Sequence, residues 1–273
     1  MSKHLNFIMA TALCLLGISV ILSSCEKDDD ETNGNSKIVK TIEVHQGTED
    51  GALLQTIDFH YKGSRVDYAD YYGIEEVICG PMVPYGKNSM GARVHFNISG
   101  NTMTLRFCEP KTEKDLPDAC DGDGYGQGTL ENGYLVEEYL EATESDVIKN
   151  KFDKTYYTHN SKGQVTEMKC YGKSRKYVWD DDCIVKVSGN LGYWRGYDLS
   201  HTNIENKANL DLNRIIFDQW YSEDIFGLSL CGYISSNEKY LTALANWEID
   251  NDGRVIKATL KDYKTYVFLI KYY

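Results

Sequence analysis

From Lys37 onward, short runs of β-branched and aromatic residues alternate with polar positions and are cut by glycine-bearing turns. Asp58-Phe59-His60-Tyr61 leads through Lys62-Gly63 to Arg65-Val66-Asp67-Tyr68. Residues 94–98 return after Ser99-Gly100 as 102–107, residues 155–158 after 160–163 as 165–168, and residues 247–249 after 250–253 as 255–258. Each unit predicts a β-hairpin, because its glycine tolerates the positive φ that a tight turn needs. Two units are near copies: Tyr157 and Trp247 stand six positions before Gly163 and Gly253, and Gln164-Val165 or Arg254-Val255 follows. Leu130-Glu131-Asn132-Gly133-Tyr134-Leu135 is a weaker third. The turn glycines are unevenly spaced, which favours a meander of similar hairpins over a solenoid. The pattern predicts a mainly β fold, an antiparallel meander of hairpins forming a strongly curved sheet or open barrel. Helical spacing of Leu212, Ile216 and Trp220 adds one short helix near 213–222, capped by Asp211 or Asn213. Val136, Tyr139, Leu140, Thr143 and Val147 also fit helical spacing, but the preceding Asn132-Gly133 turn favours a strand.

Residues 1–24 read as an export leader. Lys3 and His4 open it, an apolar stretch runs from Leu5 to Leu22, and small residues close it, the layout of a secretory signal. The ending Leu22-Ser23-Ser24-Cys25 resembles a bacterial lipobox. That resemblance implies cleavage before Cys25, a diacylglycerol thioether on its sulfur and an acyl group on the new N-terminus. At about 0.8 kcal/mol per buried methylene, two or more chains anchor a protein stably. An uncleaved transmembrane anchor, or an ordinary signal peptide with a chance cysteine, is the competing reading. Residues 25–36 follow as a lipidated acidic tether, since Glu26-Lys27-Asp28-Asp29-Asp30-Glu31 and the small polar residues after it cannot collapse. An acidic run directly after the lipid cysteine also resembles the surface-export signal of Bacteroidota lipoproteins, with a periplasm-facing spacer as the alternative. The expected organisation is therefore leader 1–24, tether 25–36 and a single all-β domain 37–273. Its expected location is the outer membrane, lipid-anchored and exposed at the cell surface.

Composition narrows the partners. The 273 residues are 42% apolar and 26% charged, which fits neither a disordered chain nor a polytopic membrane protein. The 21 tyrosines and 23 glycines, against 4 prolines, agree with turn-punctuated β structure. The net charge is -12, and loss of Lys3 with the leader leaves 28 basic against 41 acidic residues, or -13. Such a balance argues against nucleic acid and against anionic membrane surfaces. A membrane-spanning barrel needs an apolar lipid face on alternate strand positions. Strict alternation puts Val165, Glu167, Lys169 and Tyr171 on one face and Gln164, Thr166, Met168 and Cys170 on the other, and neither is such a face. The last strand, 266–273, resembles a barrel-closing terminus, but a buried central strand explains it equally well.

Three stretches carry a resemblance: Asn209-Leu210-Asp211-Leu212-Asn213, Gly227-Leu228-Ser229-Leu230-Cys231-Gly232, and the hairpin from Trp247 to Gly253. Together they are similar to a family of uncharacterised Bacteroidota lipoproteins with a porin-like, curved antiparallel β fold. The likeness spans residues 40–273 and implies a fold and a compartment but no catalytic residues. A Cys-, Asp- and Gly-rich loop at 108–128 departs from it.

Candidate chemistry is sparse. Besides Cys14 and Cys25 there are Cys79, Cys108, Cys120, Cys170, Cys183 and Cys231. With no Cys-x-x-Cys pair, a structural zinc site is not expected, and no metal ligand is assigned. Export permits oxidation, and Cys108 with Cys120 is the best single disulfide pair, worth about 3 kcal/mol through loop closure; buried free thiols are the alternative. Asp121, Asp123 and Gly124 fit three positions of a calcium loop of the EF-hand type, but Ala119 and Leu130 fall where oxygen ligands are needed. An acidic surface loop is the default there, with a calcium loop of another type still open. Asp180-Asp181-Asp182 reads first as a solvated turn and second as a carboxylate pair for glycoside hydrolysis. Tyr71, Tyr72, Trp220 and Tyr221 fit strand packing as well as ligand stacking. Tyr193, Trp194, Arg195 and Tyr197 form the first candidate for a binding site, two kinds of flat aromatic face beside a guanidinium fork. Motifs for serine-hydrolase, zinc-protease, nucleotide-phosphate and dinucleotide chemistry are missing, and no cofactor is implied. The reading leans away from an enzyme and toward a non-catalytic module binding a glycan or small apolar ligand. The alternatives are an envelope scaffold or protein-interaction module without a small-molecule site, and a hydrolase using scattered carboxylates.

Overall fold

The computed structural model describes residues 37–73, 92–108, 124–141, 154–170, 172–191, 196–220, 238–261 and 266–273. In chain order the strands are β1 (Val39–Gln46), β2 (Leu53–Lys62), β3 (Arg65–Gly73), β4 (Ala92–Ser99), β5 (Thr102–Cys108), β6 (Gly124–Glu131), β7 (Tyr134–Glu141), β8 (Thr155–His159) and β9 (Val165–Cys170). After them come β10 (Lys173–Asp180), β11 (Cys183–Gly189), β12 (Gly196–Asp198), β13 (His201–Glu205), helix α1 (Leu212–Trp220), β14 (Tyr240–Thr242), β15 (Ala245–Ile249), β16 (Val255–Leu260) and β17 (Tyr266–Tyr272). Fifteen strands join one antiparallel sheet in the order β12-β11-β10-β9-β8-β7-β6-β5-β4-β3-β2-β1-β17-β16-β15, and β13 pairs with β14 separately. The sheet is curved and does not close, as the hairpin pattern predicts. First and last strands are partners inside it, and its edges are β12 and β15.

A repeated device accompanies the curvature. In five hairpins the register slips by one residue early in the returning strand, leaving Asp67, Val136, Thr166, Val185 and Ile256 as extra residues. An extra residue bends its strand and increases the right-handed twist. It also resets the alternation of faces. Val66 and Ala69, Leu135 and Glu138, Val165 and Met168, Ile184 and Val187, and Val255 and Ala258 are all buried pairs three residues apart. Strict alternation along 164–171 therefore fails: Val165 and Met168 face the same core because Thr166 is the extra residue.

The two hairpins that look alike in sequence close identically. Asn160 Oδ1 accepts from the amides of Lys162 (2.9 Å) and Gln164 (3.1 Å), and Asp250 Oδ1 accepts from those of Asp252 and Arg254 (both 2.9 Å). Gly163 and Gly253 complete the turns at φ 78° and 74°. A methyl group added at Gly163 would stand 2.2 Å from the Tyr134 ring, whereas at Gly253 it meets the mobile end of Lys207. Gly163→Ala is expected to cost about 1–3 kcal/mol in urea unfolding, and Gly253→Ala less. Equal losses would refute the steric part of this account.

One core cluster joins the apolar faces of the strands with the apolar residues of α1. Leu212, Asn213, Arg214, Ile215, Ile216 and Phe217 are all buried, so over 212–217 the helix is enclosed all round and not only along the predicted Leu212, Ile216 and Trp220 stripe, whose Trp220 side chain lies outside the described residues. Asp211 caps it, with Oδ1 accepting from the Arg214 amide at 3.3 Å. The Asn213 side chain donates to the Tyr240 carbonyl and accepts from the Thr242 amide, which ties the helix to β14. Residues 134–141 form a strand, and Asp181-Asp182 is the exposed turn between β10 and β11. Exposed positions on β9–β11 include Lys169, Lys173, Lys176 and Lys186, not an apolar band. No described helix is long and apolar enough to cross a membrane.

Candidate functional site

Of the binding residues expected from sequence, Tyr193, Trp194 and Arg195 lie outside the described residues. Tyr197 sits on edge strand β12 opposite Val187, with its ring against the core. Cys25 and Cys120 also lie outside the described residues, as does the side chain of Cys108. Cys170 and Cys183 are free thiols. Tyr71 is a core residue, 1% exposed.

The structure assembles a different polar and aromatic surface on β1–β4, on the face opposite Ile42, Ile57 and Tyr71. Pairing places Thr41, Asp58, Asp70 and Arg93 in one row across the four strands, and His60, Tyr68 and His95 in the next. Asp70 and Arg93 form a two-pronged ion pair, Nε to Oδ1 at 2.5 Å and Nη2 to Oδ2 at 2.7 Å. Their side chains are only 5% and 9% exposed. The Arg93 guanidinium lies 4.2 Å from the Tyr68 ring centre, and His60 stacks on Tyr68 at 4.1 Å, 14° from parallel. Thr41 donates to Asp58 at 2.6 Å.

Electrostatics knit this surface together. Burial pushes the Tyr72 phenol up, and the Asp70 and Asp58 carboxylates add to that, with Arg93 opposing. Burial, then Asp58 and Tyr68, push Tyr273 up in the same way. His95 is pushed down, by burial first and then by Arg93, which favours its neutral form. Both oxygens of Asp70 accept from Arg93, and His60 Nε2 lies 3.4 Å from Oδ2. The arrangement presents hydroxyls, a carboxylate and ring edges.

A second polar cluster is buried where β11, β13, β14 and α1 meet. Glu238, just before β14, receives the Ile184 amide on Oε2 at 2.9 Å, and His201 Nε2 lies 2.9 Å from the same oxygen. Its own amide donates to Asp211 Oδ2 at 3.0 Å. Cys183 stands beside them, and one ligand atom each from Cys183, His201 and Glu238 lie within 4.8 Å of one another. Burial, with Glu238 adding to it, raises the Cys183 thiol, while the amides of Tyr240 and Lys239 pull it down.

Comparison with known proteins bears on the fold. The solved structure of a porin-like protein from Bacteroides uniformis aligns with 86% of this chain and 98% of its own, at TM-score 0.55 and 11% identity. The fold is porin-like. At that identity the likeness extends to the fold alone. A porin-like protein from Bacteroides vulgatus aligns over the same shares at TM-score 0.26, too low to carry an argument. No family model and no curated protein matches the chain.

Sequence reading missed both clusters for the same reason. Thr41, Asp58, Asp70 and Arg93 become neighbours through strand register, which hairpin spacing alone leaves open once bulges intervene. Cys183, His201 and Glu238 are 18 and 37 residues apart, far from any compact ligand motif.

Proposed function

We propose that this chain is a lipid-anchored protein of the bacterial outer membrane that binds a glycan or comparable polar ligand without catalysing a reaction on it. Anchoring through Cys25 follows from the Leu22-Ser23-Ser24-Cys25 ending, and the acidic run 26–31 supports display at the cell surface. The single observation that carries the binding reading is the β1–β4 face, where Asp58, Tyr68, Tyr72, His60 and His95 surround the buried Asp70–Arg93 pair in register. Glycan recognition uses such a mixture of flat apolar rings and fixed hydrogen-bonding groups.

The test is a glycan array probed with the mature chain, followed by thermal shift with each hit. A specific ligand should lose about tenfold or more in affinity in Tyr72→Ala and in Asp58→Ala. Loss confined to Trp194→Ala would move the site to residues 193–197. No specific ligand, or one indifferent to all three changes, would sink the proposal. A second reading, an interaction module without a small-molecule site, is favoured by the buried helix and by β15 as an edge strand among the described residues. Ile249 there and Ile256 on β16 are 48% and 40% exposed.

A further inference from the structure

We propose that Cys183, His201 and Glu238 form a site for a divalent transition cation of the zinc class, clamping the β13–β14 pair onto the main sheet. The donor set is a thiol, an imidazole and a carboxylate, the three groups that zinc sites draw on. Zinc bonds of about 2.0–2.3 Å in a tetrahedron separate ligand atoms by about 3.3–3.6 Å. The three atoms here already lie within 4.8 Å of one another, a mismatch that small side-chain rotations remove.

Each ligand comes from a different part of the fold. Cys183 opens β11 of the main sheet, His201 opens β13 of the two-stranded sheet, and Glu238 precedes its partner β14. Their positions are fixed by backbone bonds: Lys239 donates its amide to the Asp182 carbonyl at 3.0 Å, and Ile184 donates to Glu238 itself. Burial is deep, with Glu238 0% exposed and the His201 side chain 10%.

The independent observation is Glu238 Oε1. It is completely buried and has no hydrogen-bond partner among the described residues, and a buried carboxylate oxygen left so is costly. Charge points the same way. Asp211 and Glu238 are like charges in one buried cluster, with Arg214 Nε 3.2 Å from Asp211 Oδ2. A dication bound to the Cys183 thiolate offsets part of this negative charge. On binding, the sulfur–hydrogen bond breaks, its proton leaves to solvent, and a metal–sulfur bond forms without change of oxidation state.

This inference does not depend on the binding face of β1–β4. The test takes the full mature chain, purified and dialysed against zinc and then against buffer, with metal counted by mass spectrometry. One zinc per chain is expected, with affinity lowered about 100-fold or more in Cys183→Ala and His201→Ala, and unchanged in Cys170→Ala. Cobalt loading supplies a readout that does not depend on a variant folding. A thiolate-to-cobalt charge-transfer band with tetrahedral d–d transitions is expected, and Cys170→Ala should keep it. Zinc below stoichiometry, a cobalt spectrum without the thiolate band, or full metal retention in Cys183→Ala would overturn the assignment. Any of these would leave only a metal-free His201–Glu238 hydrogen bond.

Discussion

Asp70→Ala is expected to destabilise the protein by about 3–5 kcal/mol, because it strands the Arg93 guanidinium in a place that water reaches poorly. For a chain of this size the melting temperature should fall by on the order of 10 °C. The cost comes from what is left behind and not from the strength of the bond removed. Arg93 gives both Nε and Nη2 to Asp70, and its other neighbours among the described residues include the Tyr68 ring and the Tyr72 and His95 side chains. None of these replaces a carboxylate. The double change Asp70→Leu with Arg93→Met should therefore recover much of the loss, since two apolar side chains bury there without a charge to solvate. Urea unfolding of the two single variants and the double variant measures the coupling. Additive losses would show that the pair does not act as a unit.

Stability should also fall as pH rises from about 4.5 to 7, and Glu138 is the cause. Burial pushes its carboxyl up to about 7, against the opposing hydrogen bond from the Tyr157 hydroxyl. In that window the folded chain holds a proton on Glu138 that the unfolded chain has already released, so each step up in pH favours unfolding. The full effect is about 3 kcal/mol and is complete above pH 7. Glu138→Gln removes the titration while keeping an oxygen for Tyr157. The variant should match the wild type near pH 4 and exceed it by about that amount at pH 8. Parallel stability curves for the two proteins would show that Glu138 is ionised throughout.

Glu138 also shows why this position is opaque in the sequence. It occupies the same buried place after a bulge as Ala69, Met168, Val187 and Ala258 do in the other hairpins. Read with strict alternation, Glu137 and Glu138 are interchangeable surface acids. The extra residue Val136 is what turns Glu138 inward, and bulges leave only a weak trace in residue order.

The hairpins, the single helix with a cap at Asp211 or Asn213, and the near-identity of the 160–163 and 250–253 turns were all legible in the chain itself. Turn chemistry and strand preference act over a few residues, and glycine, asparagine and aspartate positions report them directly. Tertiary structure alone decided which side chains meet. The pairing of β1 with β17, the row from Thr41 to Arg93, and the convergence of Cys183, His201 and Glu238 all depend on register and bulges summed over many strands. A slip of one residue moves every later side chain to the other face.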